Sequence, residues 1–221
     1  MSMCSNFIQI KHFYNVFQNY SVIIFKKCTF MAKSDTIMLT SSIKQFKYYK
    51  QLADKSIAQI ESEALFHRLH EDDNSIVMII QHLSGNMKSR WTNIFTEDGE
   101  KEWRNRDSEF EELIQTREEA MEVWESGWFT LFETLDSLTT SDLDRIIYIR
   151  NEGIKVSDAI IRQLCHYSYH VGQIVYKCKQ LSKGEWKTLS IARNASASYN
   201  FKKFDQIKEE KDYLDSLLDE S

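Results

Sequence analysis

The chain contains no proline in its 221 residues, and this feature restricts its fold more than any other. Proline interrupts helices because its ring fixes the backbone and removes a hydrogen-bond donor. Helices in this sequence can therefore run without interruption, and its loops must rely on Gly, Asn, Asp and Ser. We expect long helices to dominate the structure.

Apolar residues recur at intervals of three and four in four long stretches, which is the spacing of amphipathic helices. Asp35 is the predicted N-cap of the first helix, and Asn74 or Ser75 caps the second. Thr116 and Glu119 have the spacing of a capping box that opens the third. Each start is therefore predicted from local chemistry as well as from periodicity.

The fourth helix is predicted to open at Ser157 and Asp158 and to end near Leu181. Before it, the segment "RIIYIRNEGIKVS" predicts a small β-hairpin around Asn-Glu-Gly. Four amphipathic helices of about 20 residues or more predict an all-α four-helix bundle. The long connections 97–115 and 139–156 indicate crossovers rather than tight turns.

The chain divides into three predicted regions. Residues 1–34 contain no Asp, Glu or Arg, so we interpret them as a non-domain extension translated from an early start codon, with Met31 or Met38 as the true start. A helix packed on the body is the alternative for this extension. Residues 35–204 are predicted to form the helical domain, and residues 205–221 a charged C-terminal tail with a loose or peripheral helix.

Charge and cysteine usage exclude several classes of function. A formal net charge of −5 gives no general attraction to nucleic acid or to an anionic membrane. No apolar run approaches the roughly 20 residues needed to cross a bilayer. The cysteines form no C-x-x-C pair, which favours reduced thiols and a cytoplasmic location.

Two histidines lie four residues apart in "QLCHYSYHVGQIVYK", at His166 and His170. On a helix this spacing separates them by about 40° around the axis and about 6 Å along it, so both can point at one metal ion. His82, in "MIIQHLSGNMKSRW", is the candidate third ligand. Three neutral histidines leave open positions for water or substrate, which is typical of a catalytic rather than a structural site.

The spacing also allows a plainer interpretation. A helical wheel places all three histidines beside the apolar stripes, where they can line a cleft or face water. His67 and His70 are rival ligands, and we interpret them as surface residues at the end of the first helix. A ferritin-type carboxylate site requires Glu-x-x-His motifs, and the sequence has none.

Several neighbouring residues admit two interpretations. The segment "EKEWRNRD" could clamp a substrate carboxylate, but we prefer a crossover held by an anchored Trp103 and internal Arg–Asp pairs. Cys165 is predicted to be a core thiol, and the tyrosines beside His166 and His170 to be packing residues. Gly85 and Gly172 predict a close approach of helices near the histidines.

The strings "NSIVMIIQHLSGNMKSRWTNIFTEDGEKEWRNRDSEFE", "HYSYHVGQIVY" and "GEWKTLSI" together resemble the DinB/YfiT-like superfamily. Within it, the sequence is most similar to the branch filed as domain of unknown function (DUF) 1572, over about Met38 to Phe201. The resemblance implies a four-helix bundle with long crossovers, commonly a homodimer. It also implies a divalent-metal site with one histidine on the second helix and an H-x-x-x-H pair on the fourth, positions that His82, His166 and His170 occupy.

The activity expected of this chain rests on the resemblance alone. It implies a metal-dependent enzyme acting on a small-molecule substrate, most often by S-transfer from a low-molecular-weight thiol such as bacillithiol or mycothiol to a small electrophile. A metal-dependent hydrolase and a non-catalytic metal-binding stress protein are the alternatives, and the ion could be Zn, Ni, Fe or Mn. The chain departs from the family pattern at Ala192 and Asn194, where proline and often glycine are expected, and in its N-terminal extension.

Overall fold

The computed structural model describes residues 35–218, so the predictions made for residues 1–34 lie outside it. The chain separates into two compact units, Met1–Thr40 and Ser41–Ser221. Of the first unit, the described residues 35–40 are helical. No helix in the described part of the chain is both long and apolar enough to cross a membrane.

The described residues are mostly helical, with one small antiparallel hairpin. Residues 35–57 form helix α1. The remaining elements are α2 (Ile76–Trp91), α3 (Arg117–Ser137), β1 (Ile146–Ile149), β2 (Glu152–Lys155), α4 (Val156–Leu181), α5 (Ser196–Phe204) and α6 (Asp215–Leu218). Short 3₁₀ turns occupy Ser62–Phe66, Asp107–Phe110 and Thr140–Asp142.

The predicted caps of α2 and α3 are confirmed. The Ser75 hydroxyl accepts a hydrogen bond from the backbone N–H of Met78. Thr116 and Glu119 form a reciprocal capping box at the start of α3. Helix α4 ends at Leu181 as predicted but begins one residue before Ser157, without a side-chain cap.

Helix α2 is the most deeply buried element and packs along α3 and α4. It approaches α3 closely at Gly127, where an added Cβ would lie 2.8 Å from the Cα of Ser84. The Ser84 hydroxyl donates to the carbonyl of Val123 at 2.7 Å across the same contact. A glycine is therefore required here because the two backbones touch.

Buried polar contacts join the four long helices. The indole N–H of Trp124 on α3 donates to Asp54 on α1 at 2.7 Å. Tyr167 on α4 accepts from the Trp91 indole at 3.1 Å and donates to Asn86 Oδ1 at 3.0 Å, both on α2. Tyr167 is fully buried, which confirms that it is a packing residue.

The predicted hairpin is confirmed, with its turn one residue earlier than expected. Arg150 and Asn151 make the turn with φ values of +55° and +63°, and Gly153 lies within β2. This left-handed pair is the type I′ geometry of two-residue hairpins. The Asp98 carboxylate accepts both turn N–H groups at 2.8 Å, which compensates for the lack of a turn glycine.

Candidate metal centre

His82 lies in the middle of α2 and is buried, with 5% of its surface exposed. His166 and His170 lie one turn apart on α4 and are half-buried. Since α2 packs on α4, the three predicted residues meet between the two helices. The histidines therefore line a helix–helix contact rather than the solvent.

The three imidazoles converge through their Nε2 atoms. His166 Nε2 lies 3.3 Å from His82 Nε2 and 3.1 Å from His170 Nε2. One ring nitrogen from each of the three histidines falls within 4.8 Å of the others. Among the described residues, no carboxylate or thiolate joins this group.

Hydrogen bonds fix the orientation of two of the rings. His82 Nδ1 lies 2.9 Å from Glu109 Oε2, and because an ionised carboxylate can only accept, Nδ1 carries the proton. His170 Nδ1 lies 2.7 Å from Gln173 Oε1, whose amide N–H₂ donates to the Tyr169 hydroxyl. Both rings thus present the Nε2 lone pair to the cluster.

Glu109 is itself held firmly. Arg104 donates to it through two nitrogens, at 2.7 Å to Oε1 and 2.9 Å to Oε2. Burial opposes ionisation of Glu109, but the hydrogen bonds from His82 and Arg104 outweigh it and keep its pKa below the ordinary value. A carboxylate that orients a metal-binding histidine in this way is a common feature of metal sites.

His166 and His170 are neutral at physiological pH. Burial, followed by the proximity of His170 and His82, lowers the pKa of His166 to about 3. Burial also lowers the pKa of His170, against an opposing hydrogen bond to Gln173. Neutral imidazoles are the form that binds a metal.

The two nitrogen spacings that involve His166 fit a divalent ion. Ligands about 2.0–2.1 Å from a metal lie about 3.3 Å apart at tetrahedral angles and about 2.9 Å apart at right angles. The observed 3.1 and 3.3 Å fall within this range. Because Nδ1 carries the proton on His82 and on His170, the Nε2 atom of each has only a lone pair. The Nε2 of His166 can donate one proton at most. Nitrogen lone pairs therefore face each other in the cluster unless a cation lies between them.

Sequence reasoning missed Glu109 and misjudged several of its neighbours. Trp103 is 60% exposed rather than anchored, and Arg104 pairs with Glu109 and Glu100 rather than with an aspartate.

The prediction for the thiols of α4 is also wrong: Cys165 is exposed and is not a core thiol. The buried thiol of α4 is Cys178, and burial raises its pKa to about 12.

Of the remaining site predictions, some are confirmed and others are wrong. Gly85 does allow a close approach, but of the Glu109 carboxylate rather than of a helix backbone. Gly172 faces open space, so the predicted helix contact there is wrong. Tyr169 is 64% exposed. It accepts a hydrogen bond from Gln173, and its ring packs edge-on against the ring of His170, 5.0 Å between centroids. His67 and His70 are exposed, as predicted.

Fold and site together define a class: a mainly helical protein with a buried three-histidine cluster that could hold a metal ion. A family model described as "Protein of unknown function (DUF1572)" matches residues 34–195. The chain therefore belongs to this family. A search of curated proteins and a search of solved structures each found no match.

Proposed function

We propose that this protein is a divalent-metal-dependent enzyme on the four-helix bundle of the DinB/YfiT-like superfamily, with His82, His166 and His170 as the metal ligands. The observation that carries the proposal is the convergence of three Nε2 atoms at 3.1 and 3.3 Å with two tautomers fixed. Hydrogen bonds between α1 and α3 and between α2 and α4 support the bundle.

A divalent ion on three neutral imidazoles keeps its full charge and open positions, and so lowers the pKa of a thiol or water bound to it. The chain's own residues prepare this site. Glu109 and Arg104 hold His82 in the tautomer that leaves Nε2 free, and Gln173 does the same for His170. Burial keeps His166 uncharged, so protons do not compete for its nitrogen.

We propose thiol-dependent S-transfer as the reaction. A small thiol forms a bond from sulfur to the electrophilic carbon of the second substrate, the leaving group departs with its electron pair, and the thiol proton goes to solvent. We prefer this reaction to hydrolysis because no described carboxylate near the cluster is free to act as a general base. Both oxygens of Glu109 are occupied by His82 and Arg104, and no other described carboxylate joins the cluster.

Hydrolysis would require removal of a proton from water, and the ion would have to lower the pKa of that water from about 15.7 to about 7. A thiol has a pKa of about 8.5 and needs much less help from the protein. The arrangement of described residues around the cluster therefore suits a thiol nucleophile better than a water nucleophile.

The test is turnover of 1-chloro-2,4-dinitrobenzene with cysteine, glutathione or bacillithiol, beside hydrolysis of p-nitrophenyl acetate. We expect a thiol-dependent rate that is lost in His82→Ala and His166→Ala. His67→Ala, which removes an exposed histidine, is the matched control and should retain the rate.

Other outcomes would overturn the proposed reaction. Ester hydrolysis without thiol, lost in the same two variants, would establish the hydrolase instead. Metal binding at the three histidines with neither activity would leave a non-catalytic metal-binding protein.

A further inference from the structure

A cavity of about 600 Å³ lies between α1 and the segment that follows α4. None of the metal-centre residues lines it. Helix α1 contributes Tyr48 and Leu52, the loop after α4 contributes Leu189, and α5 contributes Tyr199. Its volume is in the range of small-molecule sites, about 300–1,000 Å³.

The charged residues that line this cavity have one sign. They are Lys55 on α1 and Lys203 on α5, and no carboxylate is present among the described lining residues. Neither lysine forms an ion pair with a described carboxylate. The Lys203 ammonium lies over the Tyr199 ring, 5.7 Å from its centroid. Two cations on an apolar wall favour an anionic ligand.

Two acidic residues next to the lining residues in sequence have another partner. Asp212 and Asp215, beside the lining residues Tyr213 and Ser216, both bind the ammonium of Lys44, at 2.8 and 2.5 Å. Lys44 therefore draws these carboxylates away from the two cavity lysines.

The walls suit a flat apolar body. Three tyrosines line the cavity beside four aliphatic side chains, namely Tyr48, Tyr199, Tyr213, Leu52, Leu189, Ile191 and Leu217. Tyr213 is 66% exposed and Tyr199 36%, so their rings are available to a ligand. Aromatic faces stack on flat rings, and the tyrosine hydroxyls can donate to an anion.

We propose that this cavity binds a small aromatic carboxylate, with its ring among the tyrosines and its anionic group between Lys55 and Lys203. Five of the lining residues, from Tyr199 to Leu217, lie beyond the family match at residues 34–195. The site therefore depends on the C-terminal part of this chain as well as on α1. It does not depend on the function proposed for the metal centre.

The test is titration of the purified full-length protein with 2-naphthoate, followed by fluorescence and by calorimetry. Saturable binding with one site is expected, and neutral 2-naphthalenemethanol should bind at least tenfold more weakly. Lys203→Ala should weaken naphthoate binding about fivefold or more and leave the neutral analogue unchanged. Lys202→Ala is the matched control, since Lys202 is an exposed neighbour on α5 that does not line the cavity, and its affinity should stay within twofold.

Prior treatment with EDTA separates this site from the metal centre. Binding that survives EDTA supports the cavity, whereas loss of binding would mean that the carboxylate lies on a metal and would overturn the proposal. The absence of saturable binding, or equal affinities in Lys203→Ala and Lys202→Ala, would overturn it as well.

Discussion

The carboxylate of Glu109 occupies the space that a side chain at Gly85 would need. Gly85 lies on α2 one turn after His82, and Glu109 binds the Nδ1–H of that histidine. Because Gly85 has no side chain, the Glu109 carboxylate can reach Nδ1 of His82, the ring nitrogen that faces away from the cluster. Position 85 and the orientation of His82 are therefore coupled.

Gly85→Ala tests this coupling. An added Cβ would displace the Glu109 carboxylate, so we expect weaker metal binding and no gain in stability. Gly172→Ala is the matched control, because it lies near His170 on α4 with open space around it. It should raise the free energy of unfolding by up to about 1 kcal/mol through helix propensity and keep metal affinity. Equal metal affinities in the two variants, measured by chelator competition, would refute the coupling.

Glu109→Gln removes the charge that fixes the tautomer of His82. A glutamine can satisfy His82 or Arg104 but not both, so we expect metal affinity to fall about 10- to 100-fold. Glu111→Gln, which changes an exposed carboxylate two residues away, should leave affinity unchanged. Zinc titration against a fluorescent chelator gives the comparison, and an unaltered affinity in Glu109→Gln would show that Glu109 does not position His82.

Much of this arrangement could be predicted from local sequence. The capping residues Ser75 and Thr116 and the four-residue spacing of His166 and His170 are governed by helix geometry, which acts over a few residues. Glu109 could not be predicted because it lies 27 residues from His82 on a connection without hydrophobic periodicity.

The errors have similar physical causes. Cys165 points about 100° away from His166 around α4, and this direction faces solvent rather than the predicted core. Arg150 adopts a left-handed conformation because Asp98, distant in sequence, accepts the N–H groups of the turn. Such contacts are decided by tertiary structure and have no local signature.

Tyr167→Phe should destabilise the protein. Its hydroxyl bridges the Trp91 indole N–H and Asn86 Oδ1 in a buried position, and its removal leaves both without this partner. We expect a loss of about 1–3 kcal/mol in the free energy of unfolding. Urea unfolding at neutral pH measures it, and a variant as stable as the wild type would show that the bridge contributes nothing.

Asp142 should make stability depend on pH in the acid range. Hydrogen bonds from Thr139 and Arg145 lower its pKa from 3.8 to about 2. A carboxylate with a lowered folded-state pKa stabilises the protein fully above the unfolded value, and this contribution is lost as pH falls from 3.8 toward 2. The difference in urea midpoint between wild type and Asp142→Asn should therefore narrow between pH 5 and pH 2.5, and a constant difference would contradict this assignment.

The most direct test of the account is the metal content of the purified protein, measured by plasma mass spectrometry after exposure to Zn, Ni, Fe or Mn salts and desalting. We predict about one divalent ion per chain in the wild type and in His67→Ala, and its loss in His82→Ala and His170→Ala. Wild-type protein that retains none of these ions, or His82→Ala protein that retains as much as the wild type, would contradict the three-histidine site.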